Sequence, residues 1–336
     1  MKRNGLMQRN GLTKCALALA AFLLASPALA HQPTTGDADF DAWLTVLLAE
    51  ATAQGISHDI LDASFEGVTP IARIIELDRK QPESTQTFAQ YMAKRITAKL
   101  ASEGRRHFAL NKALLEEVGK KFGIQPRFIV ALWGVETRYG TYTGGFPVIA
   151  ALATLAYDGR RSDYFRGELL KGLTILEEGH IAPADMMGSW AGAMGQSQFM
   201  PSSFLNFAVD FDGDNRRDIW TTEADVFASA ANYLSRSGWR DDQTWGREVT
   251  LPGGFDPELA DLDVVKRLSA WQALGVRRTD GSDLPTRDLK ASVVLPGGEG
   301  GPAYVVYGNY RTILKWNRSH YFAMSVGRLA DLIGNR

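Results

Sequence analysis

The sequence predicts a mainly α-helical protein with a small mixed β lobe. Up to about Trp239, most segments show apolar residues at helical spacing or are rich in strong helix formers. After Trp245 the pattern changes to brief β-rich runs bounded by Pro-Gly-Gly or Gly-Gly-Pro. The composition, with 45% hydrophobic and 22% charged residues over 336 positions, indicates a globular chain large enough for about two packed units.

The first thirty residues are typical of a secretory signal peptide. Basic residues precede an apolar run from Cys15 to Leu24, and small residues up to Ala30 predict cleavage before His31. The apolar run is shorter than the roughly 20 residues of a spanning helix. Lys14 stands where a lipid-attachment signal at Cys15 needs a small residue. We therefore expect a periplasmic protein that is soluble rather than lipid-anchored and that has no cysteine after cleavage.

The remaining elements follow in chain order. Helices are predicted at 40–51, 84–102, 111–122, 128–138, 166–178 and 224–237. Strands at 247–251, 292–295 and 303–306 enclose a helix at 262–274, and a last helix at 321–333 returns to the helical body. We therefore divide the chain into a signal peptide (1–30), an N-terminal helical lobe (31–110), a helical core (111–244), a small β lobe (245–312) and a C-terminal segment (313–336).

Glu136 is the candidate catalytic residue. The run from Phe128 to Val135 contains no charged residue, and helical spacing places Ile129, Trp133 and Glu136 on one inward face. Burial against apolar side chains raises the pKa of a carboxyl group, which then keeps the proton that a general acid must donate. The alternative interpretation is a structural Glu satisfied by a neighbour such as Arg138.

Two motifs together resemble those of a known family. They are Gly134-Val135-Glu136-Thr137-Arg138-Tyr139-Gly140, and the later stretch that contains Gly192-Ala193-Met194-Gly195 and Gln198-Phe199-Met200-Pro201-Ser202-Ser203. The chain is similar in both to the B-type lytic murein transglycosylases, from about Phe40 to the C-terminus. The resemblance implies a lysozyme-like helical core with flanking helical and β-containing lobes.

The resemblance also implies the reaction and its site. Lytic transglycosylases use one Glu as acid and then as base, and the substrate's acetamido group and C6 hydroxyl give a 1,6-anhydro end. Glu136 matches the catalytic acid, and the matching substrate-binding positions are Tyr91, Ser189, Gln198 and Asn317. Trp133, Tyr139 and Phe199 are candidates for stacking on sugar rings or for core packing. Glu168, Glu177 and Glu178 are predicted to form a solvated helix face.

An acidic loop follows the second motif. It offers oxygen ligands at positions 1, 3, 5, 7 and 9 of a calcium-type loop, namely Asp210, Asp212, Asp214, the carbonyl of Arg216, and Asp218. Position 12 is Thr221, which leaves Glu223 or Asp225 to close the site. The stretch resembles the EF-hand-like loop of this family, for which Asp225 is the nearest match. We expect a structural Ca²⁺ and no cofactor for the chemistry; a solvated surface turn is the alternative.

The remaining features narrow the partners and leave two other functions open. The formal net charge is −1 without a basic stripe, which argues against nucleic acid. The five His residues are scattered, which argues against a zinc hydrolase. We expect a monomer that acts on peptidoglycan glycan strands and has cell-wall synthesis or division proteins as candidate partners. The alternatives are a hydrolytic muramidase of the same fold and a non-catalytic peptidoglycan-binding protein.

Overall fold

Helices dominate the fold, as the sequence predicts. A computed structural model describes residues 35–80 and 86–334, so the predicted signal peptide lies outside the described residues. Within them the helices are α1 Ala38–Ala53, α2 His58–Phe65, α3 Ala72–Arg79, α4 Phe88–Arg95, α5 Ala98–Leu110, α6 Lys112–Phe122, α7 Pro126–Thr137, α8 Val148–Tyr157, α9 Ser162–Glu177, α10 Pro201–Phe207, α11 Glu223–Arg236, α12 Leu268–Ala273, α13 Gly308–Trp316 and α14 His320–Gly334.

The predicted helix at 84–102 is wrong as a single element. The chain forms α4 and α5 instead, with a break at Ile96 and Thr97. The Thr97 hydroxyl accepts a hydrogen bond from the backbone N–H of Leu100 at 3.1 Å and so caps α5. Because an N-cap residue adopts an extended backbone conformation, the cap ends one helix where it starts the next.

Helix α8 has no counterpart among the predicted helices. Its sequence is VIAALATLAY, and nine of its residues, from Val148 to Ala156, are buried. A helix that is apolar on all sides lacks the alternation between a polar and an apolar face on which the prediction depends. It packs against α3 and α9, and α9 also packs against α2 and α10. These helices enclose one of the two large apolar cores.

Helix α7 lies at the centre of the other large core. It packs against α5, α6, α11 and α14, which explains why the run from Phe128 to Val135 is buried on all sides. Burial of these side chains fixes the position of the residue that follows them, Glu136.

The small β lobe is built on an antiparallel sheet. Its strands are β3 Gly246–Thr250, β4 Lys266–Arg267, β5 Arg277–Arg278, β6 Lys290–Val294 and β7 Ala303–Val306, in the order β4-β6-β7-β3-β5. A separate two-stranded pair, β1 Phe146–Pro147 and β2 Met187–Gly188, precedes it in the chain. The predicted helix at 262–274 is wrong in extent, because 266–267 pair with β6 and only α12 is helical.

The sheet joins its lobe to the helical core because both of its faces are covered. Val293 and Val305 face a small core around Trp271, whereas Tyr304 and Val306 belong to the core around α7. This alternation follows from the two-residue period of a strand. The proposed boundaries at 31, 111, 245 and 313 stay a prediction.

Candidate active site

Glu136 lies in the last turn of α7, the most enclosed helix of its core. The helix begins at Pro126 and ends where Arg138 and Tyr139 adopt left-handed backbone conformations, with φ of 52° and 58°. The side chains before Glu136 are buried, whereas Glu136 itself is partly exposed. The helix therefore presents one carboxyl group at the border between the core and solvent.

A close contact behind Glu136 requires glycine at position 134. A Cβ atom there would lie 2.6 Å from the ring of Tyr139. That ring cannot easily move away, because the Tyr139 hydroxyl donates a buried hydrogen bond to the carbonyl of Leu100 at 2.8 Å. Gly134 and Tyr139 thus fix the turn that ends α7.

The Glu136 carboxyl group is held by an indole. Trp316, the last residue of α13, donates from Nε1 to Glu136 Oε1 at 2.6 Å. Loss of hydration raises the pKa of Glu136 from 4.5 to about 7, and the Trp316 hydrogen bond and the Arg95 guanidinium oppose part of that rise. Arg95 donates to the backbone carbonyl of Val135. Arg138 instead pairs with Glu103 at 3.6 Å, so Glu136 is not a salt-bridged structural acid.

Glu136 lines two spaces of very different size. On one side a cavity of only about 10 Å³ lies between Glu136, Ser197 and Trp316, too small for a sugar ring. On the other side a groove of about 350 Å³ is lined by Glu136 with basic side chains, Lys94, Arg95 and Arg138, and by Tyr142. Of these two spaces, the groove is the one with room for a substrate.

Gln196 connects α7 to the loop that carries the second motif. Its side-chain oxygen accepts from the Trp133 indole at 2.8 Å, and its amide nitrogen donates to the carbonyl of Trp220 at 2.8 Å. The Thr137 hydroxyl donates to the Gln196 carbonyl at 3.0 Å. These bonds fix the loop against the end of α7, next to Glu136.

Ser189 and Gln198, two predicted substrate-binding residues, both lie on this loop. The Ser189 hydroxyl accepts from the backbone N–H of Ala193 at 3.0 Å. Gln198 has a left-handed backbone with φ of 50°, and its amide nitrogen donates to the carbonyls of Thr143 and Gly195 at 2.9 Å. The structure thus gives both side chains a role in shaping the loop, and the Gln198 side-chain oxygen has no partner among the described residues.

Tyr91 and Asn317, the other two predicted substrate-binding residues, do not line the groove of Glu136. Tyr91 is on α4, one turn before Arg95, and lines a neighbouring groove of about 900 Å³ together with Tyr321. Asn317 directly follows Trp316, is exposed, and accepts from the backbone N–H of Ser319 at 3.0 Å. Tyr91 shares α4 with Arg95, which lines the groove of Glu136, and Asn317 follows Trp316, which is bonded to Glu136.

The three aromatic candidates for sugar stacking are core residues. Trp133, Tyr139 and Phe199 are all buried, with at most 7% of the residue exposed. Their edge and face contacts are with other protein rings, which include His107 for both Trp133 and Tyr139.

Glu168 and Glu177 on α9, and Glu178 at its C-terminal end, also have structural partners. The prediction that they form a solvated face is wrong for Glu168. Glu168 is buried and accepts from the backbone N–H of Ser202 at the start of α10. Glu177 accepts from Ser57, and Glu178 pairs with Arg217. None of the three lines either space beside Glu136.

The acidic loop brings Asp210, Asp212 and Asp214 together. One carboxylate oxygen of each lies within 4.8 Å of the others, and no basic side chain pairs with any of them within the described ranges. Left-handed backbone at Gly213 and Asn215, with φ of 83° and 67°, permits the tight turn. This donor set fits a hard cation. The Arg216 side chain points elsewhere and donates to the carbonyl of His180 at 3.0 Å.

Asp225 is placed differently from what the metal-ligand prediction requires. It is fully buried, and its two carboxylate oxygens accept from the backbone N–H groups of Phe211 and Asp218, each at 2.7 Å. It is not in the group formed by Asp210, Asp212 and Asp214. Asp225 therefore holds the two ends of the loop together through backbone hydrogen bonds.

Two residues of the site were not singled out from the sequence. Trp316 directly precedes Asn317, and this adjacency is the signal that could have pointed to it. Arg95 lies four residues after Tyr91, so helical spacing places it on the same face. The proximity of Trp316 and Arg95 to Glu136 depends on packing between residues that are remote in sequence, which no local pattern shows.

Comparison with known proteins gives consistent matches. Residues 39–331 match the family described as Transglycosylase SLT domain. Membrane-bound lytic murein transglycosylase B of Escherichia coli (strain K12) is 33% identical over 250 residues, which cover 73% of this chain and 66% of that protein, just under two thirds of its length.

Solved structures agree with this match. SltB3 from Pseudomonas aeruginosa, in complex with NAG-anhNAM-pentapeptide, has a TM-score of 0.87 and 42% identity and covers 89% of this chain and 80% of that one. The Escherichia coli lytic transglycosylase Slt35, in complex with calcium, has a TM-score of 0.74 and 27% identity, with 88% and 93% covered. Across residues 35–80 and 86–334, no helix has both the length and the apolar character needed to span a bilayer. The chain belongs to the transglycosylase SLT family and, within it, to the B-type lytic murein transglycosylases.

Proposed function

We propose that this chain cleaves the β-1,4 bond between MurNAc and GlcNAc in peptidoglycan and leaves 1,6-anhydro-MurNAc ends. The observation that carries the proposal is a single carboxyl group, Glu136, which faces a groove and has a pKa of about 7. A group poised near neutral pH can both donate and accept a proton in one reaction cycle. Among the residues that line the groove, Glu136 is the sole carboxylic acid.

The reaction has two halves. First, Glu136 gives its proton to the glycosidic oxygen, the bond to C1 breaks with its electron pair on that oxygen, and the acetamido oxygen of MurNAc bonds to C1. Then ionised Glu136 takes the proton of the C6 hydroxyl, O6 bonds to C1 and the acetamido oxygen is released. The substrate's own group replaces the second carboxylate that most glycosidases use. No water is consumed.

We propose that Tyr91, Ser189, Gln198 and Asn317 bind the glycan. The Gln198 oxygen is available as an acceptor, because its amide nitrogen is already bonded to two carbonyls. The Asn317 amide nitrogen is available as a donor, because its oxygen accepts from Ser319. Ser189 and Tyr91 complete the set, on the loop and on α4. The complex of the SltB3 relative with NAG-anhNAM-pentapeptide supports a ligand of this class.

The acidic loop is proposed to hold a structural Ca²⁺. Asp210, Asp212 and Asp214 would supply carboxylate oxygens and Arg216 its carbonyl, with Asp225 as a buried support of the loop. The calcium complex of the Slt35 relative supports this assignment. The ion would stabilise the loop, and no step of the reaction passes through it.

We further propose that the enzyme works in the periplasm as a monomer. The predicted signal peptide supports the location, and glycan strands are the proposed partner, with cell-wall synthesis or division proteins as candidates for recruitment.

Product mass tests the proposed reaction directly. Purified protein is incubated with peptidoglycan sacculi, and the soluble muropeptides are analysed by mass spectrometry. We expect 1,6-anhydro ends, lighter by one water than hydrolysis products. Reducing MurNAc ends alone would replace the proposal with a muramidase, and binding without release of soluble products would replace it with a non-catalytic protein.

A further inference from the structure

The Trp316 indole makes the sole hydrogen bond to the Glu136 carboxyl group among the described residues. The distance of 2.6 Å joins Nε1 to Oε1, and the indole lies on the side of the small closed cavity, away from the groove. An indole N–H is a donor and never an acceptor. Oε1 is therefore engaged as an acceptor in either protonation state of Glu136, and Oε2 remains for the exchangeable proton.

The indole is itself fixed in place. Its ring packs against Tyr233 with a centroid distance of 4.7 Å and against Phe199 at 5.2 Å. The Tyr233 hydroxyl donates to the carbonyl of Lys315 at 2.7 Å, directly before Trp316. This support holds the N–H in one direction, as a group that orients a catalytic carboxyl must be held.

We propose that Trp316 is a positioning residue for Glu136, which it orients so that Oε2 both gives the proton to the glycosidic oxygen and takes the proton of the C6 hydroxyl. The inference rests on the proposed function. Because the same oxygen acts in both halves of the reaction, the carboxyl group needs no rotation between them. Preorganisation of this kind removes a cost at the moment of reaction.

Other charged groups near Glu136 do not replace this contact. Lys94, Arg95 and Arg138 line the groove with Glu136. Helix α5, which packs against α7, carries Glu103, Arg105, Arg106 and His107. The charged groups on the other packed helices have partners elsewhere. Lys121 of α6 lies over aromatic rings, Glu223 of α11 raises the pKa of His107, and Asp225 of α11 accepts from backbone N–H groups. Lys315 of α13 donates to the Ser237 carbonyl, and on α14 Asp331 pairs with Arg127 and Arg328 with Glu248. None of these groups donates a hydrogen bond to Glu136 in the parts of the chain that the structure covers.

The test removes the N–H and keeps the ring. Trp316→Phe is compared with the control variant Trp239→Phe. In the wild type the Trp239 indole donates to Gln125 at 2.8 Å, on the far side of the core. For Trp316→Phe we expect kcat to fall about 10- to 100-fold with little change in KM, as for the loss of a hydrogen bond to a charged group. The pH at which activity is half-lost on the alkaline side should rise by about one pH unit, because the lost donor favours ionised Glu136.

Three results would overturn the proposal. They are an unchanged kcat, a fall in kcat without a shift of the pH midpoint, and equal effects in Trp316→Phe and Trp239→Phe. If Trp316→Phe does not fold, benzothienylalanine at position 316 keeps the shape and removes only the N–H, and the same outcomes apply.

A second measurement separates this proposal from the proposed function. The titration of Glu136 is followed by ¹³C NMR in glutamate-labelled protein, with Glu136→Gln to assign the signal. We expect a higher midpoint in Trp316→Phe than in the wild type even if no 1,6-anhydro product is formed. An unshifted midpoint contradicts the positioning role, whereas a shifted midpoint without product contradicts only the reaction.

Discussion

Replacing Glu136 by Gln should stabilise the protein at alkaline pH. The folded pKa of about 7 exceeds the ordinary value of 4.5, so between these values the folded state keeps a proton that the unfolded state has released. The free energy of unfolding therefore falls as pH rises from 4.5 to about 7 and then levels off. The difference between the two pKa values corresponds to about 3 kcal/mol at most, and water at the partly exposed side chain reduces it.

Glu136→Gln removes this pH-dependent cost and keeps an oxygen that can accept from Trp316. Urea unfolding at pH 4 and pH 9 measures the difference between the variant and the wild type. The free energy of unfolding of the variant minus that of the wild type should be about 2–3 kcal/mol larger at pH 9 than at pH 4. Glu117→Gln, an exposed position on α6, serves as a control and should change stability little at either pH. The same difference between Glu136→Gln and wild type at both pH values would show that the pKa of Glu136 is not raised by folding.

Three further predictions concern the loops around the site. Asp225→Ala leaves two backbone N–H groups without their acceptor and should cost about 2–4 kcal/mol in urea unfolding; a loss below 0.5 kcal/mol would contradict that role. Calcium should raise the Tm of the wild type but not of Asp212→Ala/Asp214→Ala, and equal Tm values with calcium and chelator in both would reject the ion. Gln196→Ala should lower stability by about 1–3 kcal/mol and reduce kcat, because Trp133 loses its acceptor; wild-type values for both would contradict it.

The sequence predicted best those elements that depend on a pattern within a few neighbouring residues. The uncharged run before Glu136 predicted a helix with Glu136 on its inward face. The structure confirms the buried helix and places Glu136 in its last turn, partly exposed. The strand predicted at 303–306 has the bounds of β7. Both follow from periodicity and composition over a few residues.

The parts of the site that the sequence did not predict depend on contacts between residues that are remote in sequence. Trp316 lies 180 residues after Glu136, and only the packing of α13 brings its N–H to the carboxyl group. Asp225 was predicted as a ligand because it is the nearest match to the late acidic ligand of the family's EF-hand-like loop. Its two backbone partners, Phe211 and Asp218, become visible only once the loop is folded.

The role of Glu136 as acid and base is tested by the rate at which Glu136→Gln releases 1,6-anhydro muropeptides from sacculi. Gln has nearly the shape of Glu but has no proton to donate. We expect a loss of at least about 10²-fold, as for removal of a general acid, together with retained folding and retained binding to sacculi. Release at a near-native rate by this variant would contradict the assignment of Glu136 as the acid and base.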